Sequence, residues 1–241
     1  VLGAAFAHDV TAFHRPVVLH VADRGGAAGE LDGDTGAERR VGGREERIDV
    51  EAVAGDATGE AFVDAGGHAA AELAAEADKY AGFNLLLADR DTLWYASNRH
   101  PRFAAGLPHG VHALSNHLLD TPWPKLRRLR ERLTTWLETA SESPGEMASS
   151  LEPLWTALTD DERAAPDALP STGVSPEWEH LLSSAFIRHA DYGTRCSTLV
   201  LVGHDDSLDI EERSYATDGG IRERVRWRAD PNMWPPAPVR V

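Results

Sequence analysis

Thr194–Val202, Leu208–Tyr215 and Ile221–Ala229 are three runs of β-forming residues joined by short links. A parallel pair needs a crossover of a dozen or more residues, so these runs predict an antiparallel meander. The segment VRWRA in the last run alternates strictly, as a half-solvated antiparallel strand does. Upstream, Phe83–Asp89 and Thr92–Asn98 flank a short polar turn and predict a hairpin. Gly110–Asn116 is a further short strand.

Helical patterning lies between and before these strands. His68–Gly82 reads as a helix with a glycine stop. Pro122 and Pro124 sit where a helix start tolerates proline. Leu126, Leu129, Leu133, Trp136 and Leu137 then recur at helical spacing, with Arg127, Arg128, Arg130 and Arg132 around the stripe. Ser149–Thr159 and Pro176–Ile187 are also expected to be helical, with Asp160–Gly173 a loop between them. The order is α, β-hairpin, β, α, α, α, β-meander, and it predicts an α+β fold with the central helices covering one face of antiparallel sheets.

A chain of 241 residues suits one domain or a tight two-domain unit. The net charge of −15 argues against a nucleic-acid partner and against an anionic membrane surface. Lys79 and Lys125 are the only lysines, and Gln is absent. This bias is what GC-rich codons produce, and an acidic, Lys-poor surface suits high salt. With Cys196 alone, no intrachain disulfide and no Cys-based zinc site is expected. No apolar run approaches a membrane span, and the first residues lack a signal-peptide pattern, so a cytoplasmic location is expected.

Residues 1–69 differ in kind from residues 70–241. They hold 12 of the 21 glycines and no Ser, Asn, Lys, Tyr, Trp, Met or Cys. Only Pro16–Ala22 reads as a strand there, and Gly25–Gly43 shows no apolar period. Two explanations stand for this segment: a GC-rich coding stretch read out of frame up to about Ala70, or a divergent, disordered Gly-rich extension.

Four blocks carry a family resemblance: YAGFNLLLADRDTLWYASNR (Tyr80–Arg99), GVHALSNHLLDTPWPKLRR (Gly110–Arg128), the LPSTG, LSSAFI and YGTRCST run within Leu169–Val202, and ERSY (Glu212–Tyr215). In this order, over about residues 70–229, they resemble the NRDE family, the homologues of transport and Golgi organization protein 2. The family's N-terminal Met-Cys, Asn-Arg-Asp-Glu and GGTW-like segments have no counterpart in residues 1–69.

The resemblance implies an αββα sandwich like that of the N-terminal-nucleophile hydrolases, incomplete here at its N-terminus. In the branch that cleaves bile-salt and penicillin amides, an N-terminal Cys thiolate attacks a carbonyl and its own amine is the base. It implies Asn116 as an oxyanion donor and Arg195 as the charge beside the nucleophile, with Asn98 and Arg99 as further ligand-binding residues. Residue 1 is Val, so the nucleophile has no counterpart and the chain as written is expected not to turn over amides. Eukaryotic members are linked to haem trafficking and to acyl-CoA and lipid homeostasis.

Other residues have bland readings beside sharp ones. Asn116 also suits a turn, and Arg195 an edge ion pair. Cys196 opens an apolar strand and reads as a small buried hydrophobe rather than a reactive thiol. His100, His109, His112 and His117 cluster, but no carboxylate or Cys completes a recognised ligand spacing. The arginines of KLRRLRER read as a wet helix face, against a CoA-phosphate or carboxylate site. Trp123, Trp136, Trp155 and Trp178 read as core, against a porphyrin or acyl pocket.

Two functions follow. One is binding or handling of a hydrophobic small molecule such as haem or an acyl thioester. The other is C–N amide hydrolysis. No cofactor is expected, and haem enters only as a ligand.

Overall fold

The structure, a computed structural model, describes residues 3–8, 17–25, 65–88, 92–142, 150–203, 207–229 and 238–239. The Gly-rich stretch from residue 26 to 64, the hairpin turn at 89–91 and most of the C-terminal tail lie outside the described residues. All strand pairings among the described residues are antiparallel. They build a mixed α/β fold with two antiparallel sheets.

The large sheet contains β1 (Gly3–His8), β2 (Val17–Gly25), β6 (Gly110–Leu114), β7 (Tyr192–Val202), β8 (Leu208–Tyr215), β9 (Ile221–Ala229) and β10 (Pro238–Val239), in the order β10-β9-β8-β7-β2-β1-β6. The small sheet is β3 (Asn84–Ala88), β4 (Leu93–Ser97) and β5 (Ala104–Gly106). The meander and the hairpin form as the alternation predicts. Three strands escaped the sequence: β1, β5 and the two-residue β10 in a tail expected to be irregular. β1, GAAFAH, has weak β-propensity and exists because β2 and β6 flank it on both sides. β5, AAG, is brought against β4, where Ser97 N donates to Phe103 O at 2.8 Å and Leu107 N to Leu93 O at 2.8 Å.

Four α-helices are described: α1 (Ala65–Ala74), α2 (Pro124–Glu142), α3 (Glu152–Leu158) and α4 (Pro176–Leu181). Helix α1 packs on the small sheet, α2 on β1 and β6, and α3 on β2. The leucine stripe of α2 enters the main core. Leu126, Leu129 and Leu133 are at most 1% exposed, and they meet Leu154, Trp155 and Leu158 of α3. The strand registers align Ala113, Ala5, Leu19 and Leu199 in one row across the sheet. Ala5 and Ala113 carry only methyl groups and Leu199 fills the β7 position, all fully buried under the helices.

Two helices end earlier than their patterns suggest. Around residues 77–82, the carbonyls of Ala77, Tyr80 and Ala81 are taken by the Asn98 side-chain amide at 2.9–3.3 Å. Only a short 3-10 turn, Ala77–Lys79, survives there. Helix α4 stops at Leu181 because the next residues turn to backbone groups: Ser183 Oγ donates to His180 O and Ser184 Oγ to Phe186 O.

Candidate functional site

The loop from Ser115 to Thr121 leads from β6 toward α2 and is hydrogen-bonded to both sheets. On the large-sheet side, Asp120 closes it. Asp120 N donates to Ala113 O at 2.8 Å, and Asp120 Oδ1 accepts from Ala113 N at 2.9 Å. Asp120 adopts a left-handed backbone, φ 57°, which Asp tolerates better than most residues. Its Oδ2 lies 2.8 Å from His112 Nδ1, and His112 Nε2 lies 3.0 Å from Pro108 O. Both partners are acceptors, so the site favours the doubly protonated ring, which donates through both nitrogens. Its hydrogen bond to Asp120 holds the imidazole above its ordinary value, against desolvation. Burial pushes the Asp120 carboxyl up, but the bonds from His112 and Ala113 outweigh it and hold it below the usual carboxylate range.

On the small-sheet side, Asn84 and Tyr95 hold the same loop. Asn84 Nδ2 donates to Ser115 O at 3.4 Å and His117 O at 3.1 Å. Tyr95 Oη donates to Asn84 Oδ1 at 2.7 Å and accepts from Leu119 N at 3.4 Å. Asn84 of the GFNL strand, Tyr95 of the WYASN strand and the LSN loop therefore form one network.

That loop delivers Asn116 to a cleft of about 270 Å³. Its lining comes from separate sequence blocks: Asn116 from LSN, Trp123, Pro124 and Lys125 from PWPK, Pro170, Thr172 and Val174 from the LPSTG segment, Glu179 from α4, and Leu182 and Ser183 from LSS. Asn116 is exposed on the cleft's rim. Lys125 and Glu179 are deeply buried, 3% and 7% exposed. Lys125 Nζ donates to Leu182 O at 3.0 Å. Glu179 Oε1 accepts from Thr172 N at 2.5 Å and Thr172 Oγ1 at 2.7 Å. A buried charge is costly unless solvated by such bonds, so both side chains mark polar ground that the fold maintains. The residue patterns alone had not singled out either of them. The one available signal was that Lys125 is one of two lysines and sits beside a helix start.

Arg195 occupies a β-bulge. Along β2 and β7, Ala22 pairs with Cys196 and Asp23 with Thr194, which leaves Arg195 as the extra, exposed residue. Bulges commonly re-aim a side chain. The registers also relate Arg195 to Asn116. Leu114 pairs with Ala4, Ala4 with His20, and His20 with Thr198. Asn116, two residues past Leu114, therefore lies at the same end of the sheet as Arg195, with the start of β1 between them.

Asn98 does not line the cleft. Its amide is committed to backbone, with three carbonyls on Nδ2 and Phe83 N on Oδ1 at 2.9 Å. Arg99 is exposed, and its guanidinium lies against Gly82, where a Cβ would come within 2.5 Å of Nε. Cys196 is half-buried. The clustered histidines diverge: His100 Nδ1 sits by Arg102 O, His112 by Asp120, and His117 Nδ1 by Thr121 Oγ1 at 2.9 Å. Among the described residues no group of three or more His, Cys, Asp or Glu is placed to hold a metal. A second hollow of about 270 Å³, lined by Tyr95, His100, Arg102, Leu118 and Leu119 among others, is formed partly by the 115–121 loop.

The blocks that build this site have counterparts in known proteins. The sequence model of the family described as Transport and Golgi organisation 2 matches residues 58–217, which spans every block lining the cleft. The chain belongs to this family. It is 35% identical over 153 residues to the Transport and Golgi organization protein 2 homolog of Bos taurus, covering 59% of this chain and 54% of that protein. The Homo sapiens homolog is 31% identical over 147 residues, covering 58% and 52%. The Mus musculus homolog is 30% identical over 168 residues, covering 66% and 58%. The chain thus spans little more than half the length of these relatives in each match. Among the described residues no helix is long and apolar enough to cross a membrane.

Proposed function

We propose that this family member binds a small molecule with an apolar body and a polar head, an acyl thioester or related acyl compound, in the cleft lined by Asn116 and Lys125. The observation that carries this reading is convergence: residues of the LSN, PWPK, LPSTG and LSS blocks, far apart in sequence, line one cavity. Trp123, Pro124, Pro170, Val174 and Leu182 supply apolar wall, while Lys125 and Glu179 supply a polar floor. This is the usual make-up of a ligand site, apolar walls with a few placed polar groups. Haem is the weaker ligand. At about 270 Å³ the cavity is smaller than drug-sized sites of ~300–1,000 Å³, and among the described residues no histidine lines it to ligate iron.

A second reading, amide hydrolysis on an N-terminal-nucleophile-like αββα scaffold, is favoured by one observation. The start of β1 lies between Asn116 and Arg195 at one end of the large sheet. An oxyanion donor and a thiol-tuning cation flanking a strand start is what that chemistry requires.

The test is a titration of the purified chain by calorimetry with a lauroyl thioester, with haemin and with lauric acid, beside an amide-release assay. Saturable thioester binding that Lys125→Met weakens supports the first reading. Amide turnover abolished by Asn116→Ala supports the second. Haemin binding without thioester binding overturns the ligand preference.

A further inference from the structure

The cleft's two buried charges say more about its occupant than its apolar walls do. Lys125 and Glu179 line the same small cavity and carry opposite charge, and each is more than nine-tenths buried. Glu179 uses Oε1 for both bonds from Thr172, and Oε2 takes no hydrogen bond among the described residues. Oε2 is the oxygen left for an occupant of the cleft, and an N–H or O–H donated to it makes a hydrogen bond to a charged group. The Lys125 ammonium has three donors and no acceptor, so it selects a carbonyl or other acceptor.

A phosphate placed here would meet the Glu179 carboxylate, and a bare ammonium would meet Lys125. Both encounters are repulsive, and they involve side chains that are themselves deeply buried. A head group that is neutral and carries an acceptor beside a donor satisfies both walls at once. We infer that Lys125 and Glu179 form a subsite for a secondary amide, Lys125 donating to its carbonyl and Glu179 Oε2 accepting from its N–H. This rests on the reading of the cleft as an acyl-compound site and names the head group that it recognises. The same chemistry occurs in the pantetheine arm of a thioester and in an N-acyl amide.

Four probes test it by calorimetry: N-methyldodecanamide, methyl dodecanoate, S-lauroyl-N-acetylcysteamine and dodecane-1-phosphate. The amide is expected to bind about tenfold or more tightly than the ester, which lacks the donor, because a hydrogen bond to a charged group is lost. The phosphate is expected to bind most weakly. In Glu179→Gln, which keeps an oxygen for Thr172, the amide-to-ester ratio should fall to within about twofold. Thioester binding that also weakens in Glu179→Gln points to the pantetheine arm as the natural source; thioester binding that does not change points to the N-acyl amide. Equal affinity of the wild-type chain for amide and ester overturns the inference and leaves the acyl-site reading standing. So does a ratio that Glu179→Gln does not move. If none of the tailed probes binds, both fall.

Discussion

Asp120 binds both the ring of His112, at 2.8 Å, and the backbone of Ala113, at 2.9 Å, and so closes the loop that carries Asn116. This pair makes stability depend on pH at both ends. The His112 value is raised on folding, so its contribution is complete below the ordinary value near 6.5 and is lost as pH climbs through the raised one. The Asp120 value is lowered, so its contribution is complete above the ordinary value near 3.8 and is lost as pH falls through the lowered one. Melting temperatures measured from pH 3 to 9 should decline on the alkaline side, and His112→Gln should flatten that decline. A variant with the same alkaline slope as the wild type would show that His112 is not the titrating group.

Asn98 joins the end of the 77–82 segment to the end of β4 through four hydrogen bonds to backbone. Asn98→Ala should cost about 2–4 kcal/mol by urea denaturation, at roughly 0.5–1.5 kcal/mol per bond with some recovered by water. Asn98→Asp should be nearly as costly, because a carboxylate cannot donate to three carbonyls. If a ligand-binding role adds to this structural one, acyl-probe affinity will fall in Asn98→Ala even under conditions where the variant is fully folded.

Arg213 stacks 3.9 Å over the Trp155 ring and bonds Glu211 at 3.0 Å and Glu152 at 3.1 Å. Its side chain is 9% exposed and that of Glu211 15%. Arg213→Met should destabilise by about 3 kcal/mol, because Glu211 is left buried without its cation. Adding Glu211→Leu to that variant should restore much of the loss. Arg213→Lys should not rescue fully, since an ammonium lacks the planar face that stacks on indole. Additive losses in the double variant, measured by chemical denaturation, would refute the coupling.

Arg195 is exposed and sits at a bulge, so Arg195→Ala should change stability by no more than about 0.5 kcal/mol. A site role predicts a selective effect instead: reduced amide release in any form of the protein that shows turnover, with an unchanged melting curve. A variant that unfolds would assign Arg195 to structure.

Much of the fold is legible in the sequence because its signals are local. The limits of β8 and β9 follow from alternation and flanking turns, and α2 follows from its leucine stripe and Pro124. Asn116 and Arg195 came from motif resemblance, and the registers place both at one end of the large sheet. β1, β5 and the early stop of α4 were not legible. Each depends on a partner distant in sequence: β6 beside β1, β4 beside β5, and Asp160 O, which receives Phe186 N after α4.

The sequence by itself determined which segments are strands or helices wherever periodicity is strong, and which family the chain resembles. Both are properties of residues close together along the chain. Tertiary structure alone decided that the hairpin and the meander belong to different sheets, and that Asn84 and Tyr95 hold the Asn116 loop. It also decided that Lys125, at the start of α2, and Glu179, on α4, share one cleft. The physical reason is that a buried charge acquires its role from the groups that solvate it. For Lys125 one such group is the carbonyl of Leu182, 57 positions away along the chain, and no local pattern encodes that meeting.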